Sequence, residues 1–218
     1  MAPIEQMNFR RLANKFLILK NPEPHMIMMV KEFGCPIRED NNAMLLYGYI
    51  DHEAGLTFEF VCMAYVYDDG RVTLEPRNIE TSTKFRYGSF SGDVMPFINR
   101  DQLVPYMDVS NNIDDGYKVS AQIMEVRNNK DIDELRAPGF PDDLLVIFFK
   151  PGGKMEGIWC RVEGVDHKKN TVKGRLLNQP WVNYGINIGD IVDIIFYNVE
   201  GQGLKAFAKL WNEDLEYN

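Results

Sequence analysis

The second half of this chain constrains its fold most. A turn-rich lead, Arg136-Ala137-Pro138-Gly139-Phe140-Pro141-Asp142-Asp143, opens onto apolar runs separated by short polar turns. Leu144 to Lys150 is a continuous apolar run, and Pro151-Gly152-Gly153-Lys154 is a turn. Met155 to Val165 then places Ile158, Cys160 and Val162 on one face, as alternation in a strand requires. Asp166 to Asn170 closes the next turn, Thr171 to Leu177 is a third strand, and Ile191 to Tyr197 a fourth, after the loop Asn178 to Asp190. Short antiparallel strands at this spacing predict a small barrel or a strongly bent sheet, backed by a helix over Leu204 to Trp211.

The first half reads as a mixed module. Phe9, Leu12, Phe16 and Leu19 recur at three- and four-residue spacing, which predicts a helix over Asn8 to Leu19, stopped by Asn21-Pro22-Glu23-Pro24. His25 to Phe33 fits either a strand or a short helix, with Met26, Met28 and Met29 filling gaps in the core. Met44 to Ile50, Leu56 to Tyr67 and Arg71 to Glu75 read as strands of a meander, the last two joined by the reverse turn Asp68-Asp69-Gly70. Beyond Pro76 come the polar stretch Asn78 to Lys84, a loop from Gly88 to Gly92, and a long connection with a short helix within Val94 to Met107. Asn111-Asn112 and Asp114-Asp115-Gly116 mark a turn before an alternating strand from Tyr117 to Val126. The charged segment Arg127 to Glu134 is the candidate boundary. The expected architecture is therefore α+β: a mainly antiparallel module over residues 1–130, then a small β-rich, barrel-like domain over residues 131–218.

The 218 residues suffice for two such cores, and 45% hydrophobic content with 13 Phe and 10 Tyr argues for a folded globule. A net charge of −8 repels nucleic-acid phosphate and anionic lipid, and the basic pairs Arg10-Arg11 and Lys168-Lys169 stand isolated, so no nucleic-acid partner is expected. No apolar run approaches the roughly 20 residues that span a bilayer, so no membrane partner is expected either. Cys35, Cys62 and Cys160 are widely spaced and odd in number. They fit reduced thiols in a cytoplasm, Cys62 and Cys160 as small buried hydrophobes.

No complete catalytic, cofactor or metal constellation is legible. Gly201-Gln202-Gly203-Leu204-Lys205-Ala206 matches a dinucleotide fingerprint, but the chain ends too soon for the returning strand and the ribose-binding acid, so it reads as a turn before the terminal helix. Gly88-Ser89-Phe90-Ser91-Gly92 lacks the spacing of a nucleophile elbow. His25, His52 and His167 stand apart, and Asp51-His52-Glu53 reads as a polar turn. Asp142 and Asp143 could pair for acid-base work, but a position after proline and before an apolar run more often satisfies backbone amides.

What remains is a surface. Trp159, Trp181 and Tyr184, with Asn178, Gln179 and Asn183, gather aromatics and amides in or near one loop, a composition suited to partner recognition. Trp159 reads as core. For the loop, recognition and simple closure of one barrel end are both open. Asn178, Gln179, Trp181, Asn183 and Tyr184 are the candidate partner-binding residues.

The succession Arg136 to Asp143, then Glu156-Gly157-Ile158-Trp159-Cys160-Arg161-Val162, then Gly174-Arg175-Leu176-Leu177-Asn178-Gln179-Pro180 and Gly185-Ile186-Asn187-Ile188-Gly189-Asp190 resembles the uncharacterised YegJ-like family of small bacterial domains. Shared features are a tryptophan-bearing strand, a glycine-led strand ending in Asn-x-Pro, and a Gly-Asp turn before the last strand. The likeness covers the final third of the chain. It implies an α+β fold and a bacterial, cytoplasmic setting, with relatives beside toxin and immunity modules, but no activity that attaches to a residue. The leading expectation is a non-catalytic interaction protein, with the toxin-immunity kind as its narrower form, that meets a protein partner through the loop and an acidic face. The alternative is an enzyme or small-ligand binder with a pocket between the halves and Asp142 or Asp143 as its polar group.

Overall fold

The computed structural model describes residues 1–77, 82–150 and 153–210. The expected turn at Pro151-Gly152 and the end of the expected helix at Trp211 lie outside the described residues, as do residues 78–81 of the polar stretch. The chain divides into two compact units, Met1–Lys118 and Val119–Asn218. The division falls before the charged segment Arg127 to Glu134, because the helix that carries Arg127 packs on the second unit.

The first unit contains β1 (Ala2–Pro3), β2 (Lys15–Lys20), α1 (Pro24–Glu32), β3 (Ala43–Asp51), β4 (Gly55–Val66), β5 (Val72–Leu74), β6 (Lys84–Arg86), β7 (Asp93–Pro96), α2 (Arg100–Leu103) and α3 (Met107–Gly116). Its sheet is antiparallel in the order β1-β7-β2-β3-β4-β5, with β6 also paired to β4. Both faces are covered. Met26 and Val30 of α1 pack with Leu46, Phe58 and Phe60 on one side, and Leu103, Tyr106 and Val109 pack with Leu45, Val61 and Cys62 on the other. Two-sided burial is why β3 and β4 read as unbroken apolar runs.

The same burial overturns the helix expected over Asn8 to Leu19. Phe9–Arg11 is one short 3-10 turn, Asn14 breaks it with φ of 55°, and Lys15–Lys20 enters the middle of the sheet as β2. Its Phe16, Leu17, Ile18 and Leu19 are all buried, so the three- and four-residue spacing was coincidental with a strand apolar on both faces. Proline at the first turn of α1 resolves the ambiguity at His25 to Phe33 in favour of helix. The expected turn at Asn111 to Gly116 is instead the body of α3, and Asp93–Pro96 is a strand rather than a connection.

The second unit contains α4 (Ala121–Asn128), β8 (Arg136–Ala137), β9 (Phe140–Phe148), β10 (Glu156–Asp166), β11 (Thr171–Leu176), β12 (Ile191–Val199) and β13 (Gly203–Lys209). Antiparallel pairings run β9-β10-β11-β12-β13, and β13 returns parallel to β9, closing a five-stranded barrel. Leu144, Val146, Phe148, Ile158, Cys160, Val162, Ile194 and Ala206 fill the interior. The strand expected over Tyr117 to Val126 is α4, capped by the Ser120 hydroxyl, which accepts from Ile123 N at 3.3 Å. The helix expected from Leu204 is β13. Gly201 and Gly203, both at positive φ, turn the chain back along β12, and pairing with β9 satisfies the backbone that a terminal helix would have satisfied locally.

Candidate functional site

The loop between β11 and β12 is a braced structure. At its neck Leu176 N donates to Asp190 O at 2.9 Å and Gly189 N returns to Leu176 O at 2.9 Å. The amide-bearing side chains work inward. Asn178 Oδ1 accepts from Trp159 N at 3.0 Å, Gln179 Oε1 accepts from Ile188 N at 3.1 Å, and Asn183 Oδ1 accepts from Gly185 N at 2.9 Å. Glu156, at the start of β10, takes Trp181 N at 2.9 Å and Val182 N at 3.2 Å on its carboxylate. Lys150 Nζ donates to the Asn183 carbonyl.

This bracing separates the expected site residues into two groups. Tyr184 is only 8% exposed; its ring lies 5.7 Å from Phe148 and its hydroxyl donates to the carbonyls of Phe148 and Lys154, both at 3.2 Å. Asn178 is half-buried, and Gln179 and Asn183 are exposed residues whose side chains bond within the loop. Trp181 is 95% exposed. A fixed backbone therefore holds one large aromatic side chain out in solvent, with Met155 and Ile188 as further exposed apolar residues. Trp159 is half-buried on the outer face of the barrel, opposite Leu145, rather than in the core.

Asp142 and Asp143 are buried, and each is gripped by a guanidinium group. Arg127 reaches Asp142 through Nε at 2.8 Å and Nη2 at 2.6 Å, and Arg161 reaches Asp143 through Nε at 2.8 Å and Nη2 at 3.0 Å. Nearby, Arg136 donates to the Val126, Asn129 and Pro141 carbonyls and to Asp133. Two bidentate pairs and a third arginine tie α4 and the lead to β9 and β10. Carboxylates engaged on both oxygens are poorly placed to act on a ligand.

Burial pushes the Cys62 and Cys160 thiols up to about 12 each, and the Asp143 charge adds to the effect at Cys160. Both are therefore protonated packing groups at neutral pH. Among the described residues no three His, Cys, Asp or Glu side chains converge as a metal site would require.

One polar cluster went unread in the sequence. Glu59 of β4 is 3% exposed, and burial raises its carboxyl against the lowering by Ser82, Arg77 and Lys84. Ser82 Oγ donates to it at 2.8 Å, while Arg77 Nη2 stands at 4.0 Å. On the same face Lys84 Nζ donates to Tyr117 Oη at 2.9 Å, which lowers that phenol, and the Tyr117 ring packs 4.5 Å from the ring of Tyr49. The buried Tyr49 hydroxyl lies beside Tyr117 without a hydrogen bond of good geometry. The available signal was a lone acid in the apolar run Leu56 to Tyr67, which a strand buried on both faces must compensate. No protein-family model, curated protein or solved structure matches the chain, so its function rests on this geometry.

Proposed function

We propose that this chain is a non-catalytic protein-interaction protein and that the loop from Asn178 to Gly189 presents Trp181 to a protein partner. The observation that carries the reading is the contrast between a backbone fixed by Glu156, Gln179 and Asn183 and a tryptophan that is 95% exposed. Exposing an indole is unfavourable for the isolated molecule, and a pre-ordered loop lowers the entropy lost when the indole is buried by a partner. The net charge of −8 adds long-range attraction toward a basic partner surface. A bacterial, cytoplasmic toxin-immunity role is the narrower form of the proposal and rests on the C-terminal resemblance alone.

A small-ligand or enzymatic role has one observation in its favour, the Glu59 carboxyl near the Lys84 and Tyr117 pair. It would move the polar group of that reading from Asp142 or Asp143 to the first unit. The deciding experiment is an affinity pull-down from native lysate with the wild type and Trp181→Ala. Tyr184 stays intact because it is a packing residue. A stoichiometric protein recovered by the wild type and lost with Trp181→Ala supports the proposal, and its identity tests the toxin-immunity form. Recovery that ignores Trp181, or no recovery, overturns the loop reading and directs ligand screening to Glu59.

A further inference from the structure

A five-stranded barrel in water ordinarily alternates apolar residues inside with polar ones outside. The outer faces of β9, β12 and β13 depart from that rule. Cross-strand pairing aligns Ile195, Phe207 and Ile147 in one row, on the side opposite the buried Ile194, Ala206, Ala208 and Val146. The Phe207 ring meets Phe149 at 6.1 Å and Tyr197 at 6.2 Å. Phe149 is 38% exposed and Tyr197 58% exposed. Phe149, Ile195, Tyr197 and Phe207, together with Val199 and Leu210, line an open groove of about 420 Å³, room for a few apolar side chains.

Charge around the groove runs against that of the chain. Lys205 and Lys209 flank Phe207 on the outer face of β13, opposite Tyr197 and Asp193. Asp193 already holds Lys169 at 3.2 Å and also pairs with Lys173, so its negative charge is shared among several lysines. A chain of net charge −8 thus carries a locally basic border around its apolar groove.

We propose that this groove docks an acidic, apolar segment of a protein partner, whose large side chains fill it and whose carboxylates meet Lys205. Flat aromatics beside lysines also suit single-stranded nucleic acid. The branched walls from Ile195, Val199 and Leu210 favour side-chain insertion over base stacking, and the overall negative charge opposes a polyphosphate. The site is separate from the Trp181 loop, since no residue of Asn178 to Gly189 lines it.

The test is selection from a random peptide-display library on the immobilised full chain. Enriched peptides are then measured by fluorescence anisotropy on the wild type, Phe149→Ala/Tyr197→Ala, Lys205→Glu and Trp181→Ala, each first shown to keep the wild-type circular dichroism spectrum. The expected result is enrichment of sequences combining Asp or Glu with Leu, Phe or Trp, weakened about tenfold or more by the groove double variant and by Lys205→Glu. Trp181→Ala leaves that binding unchanged, which keeps failure here distinct from failure of the loop reading. No enrichment, enrichment without acidic residues, or dependence on Trp181 overturns the inference. So does oligothymidine binding lost in the same groove variants, which would assign the surface to nucleic acid, or concentration-dependent dimerisation lost in them, which would assign it to a second copy.

Discussion

The two units bury carboxylates in opposite ways. In the second, Asp142 and Asp143 each lie in a two-bond grip from an arginine, and the pairs join elements distant in sequence. In the first, Glu59 sits in a two-sided sheet with Ser82 Oγ donating at 2.8 Å, the Thr83 backbone and Lys84 also favouring its charged form, and a guanidinium 4.0 Å away. Burial alone does not set the role of an acid. Engagement by guanidinium groups on both oxygens makes Asp142 and Asp143 structural, whereas burial raises the proton affinity of Glu59.

The sharpest test of this contrast removes one arginine. Arg127→Ala removes the guanidinium that grips both oxygens of the buried Asp142, so the second unit should lose about 3–5 kcal/mol, and Arg127→Ala with Asp142→Asn should recover part of it. The three tryptophans, Trp159, Trp181 and Trp211, all lie in Val119–Asn218, so their fluorescence during urea unfolding reports this unit. An Arg127→Ala midpoint equal to wild type would erase the distinction drawn between the units.

Backbone crowding gives the next comparison. A Cβ on Gly48 would strike the Leu12 carbonyl, a backbone atom, whereas one on Gly174 would strike the Cδ1 end of Ile194. Each Gly→Ala change should cost about 1–3 kcal/mol, with Gly48→Ala the larger because a side-chain tip yields more readily than a main-chain carbonyl. Urea unfolding followed by hydrogen exchange of β3 and β11 amides reads both, and a larger loss at Gly174 would reverse the argument.

Acid titration should separate the units by sign. The Glu59 carboxyl is raised, so the folded first unit holds that proton more tightly than the unfolded chain. Its contribution is fully present below the unfolded carboxylate value of about 4.3 and is lost as pH rises through the folded value. Asp193 behaves oppositely: burial opposes its charge, but Lys173 and Lys169 outweigh burial and lower the carboxyl. Its contribution is present above about 3.9 and is lost as pH falls through the folded value. Glu59→Gln should flatten the decline of first-unit stability above pH 4, and Asp193→Asn should flatten the acid limb of the second. Hydrogen exchange and tryptophan fluorescence across pH 3–8 measure each, and an unchanged slope in Glu59→Gln would show that its burial is already compensated.

The smallest structural effect belongs to the residue with the largest proposed functional one. Trp181→Ala should change stability by no more than about 0.5 kcal/mol, because the indole is solvent-exposed and the loop is held by its backbone and by Glu156. A melting temperature well below wild type would make Trp181 a packing residue and weaken the recognition reading.

Legibility followed how local the determining interactions are. β3, β4 and β9 to β12 were readable because alternation or continuous apolar character, bounded by turns, reports burial directly. β2 and β13 were misread as helices and α4 as a strand, each being a short segment whose periodicity admits two periods. Strand pairing on both sides decided the first two, and the Ser120 cap with packing on β9 and β10 decided the third. In the loop, composition located Trp181 and its neighbours but did not show that Tyr184 turns inward while Trp181 turns out. The arginine partners of Asp142 and Asp143 were equally hidden, since they lie 15 and 18 residues away.

By itself the sequence determined the α+β class, the barrel-like C-terminal strands, the buried character of Cys62 and Cys160, and the loop in which an exposed aromatic would be found. These follow from patterns spanning a few residues, where side-chain chemistry and backbone period act together. Only the tertiary structure decided that β13 closes the barrel on β9, that α4 belongs with the second unit, that Asp142 and Asp143 are held by arginines, and that Glu59 is buried beside Ser82 and Arg77. Each depends on groups brought together across the chain, and the free energy of such meetings is set by burial and pairing geometry that no local pattern encodes.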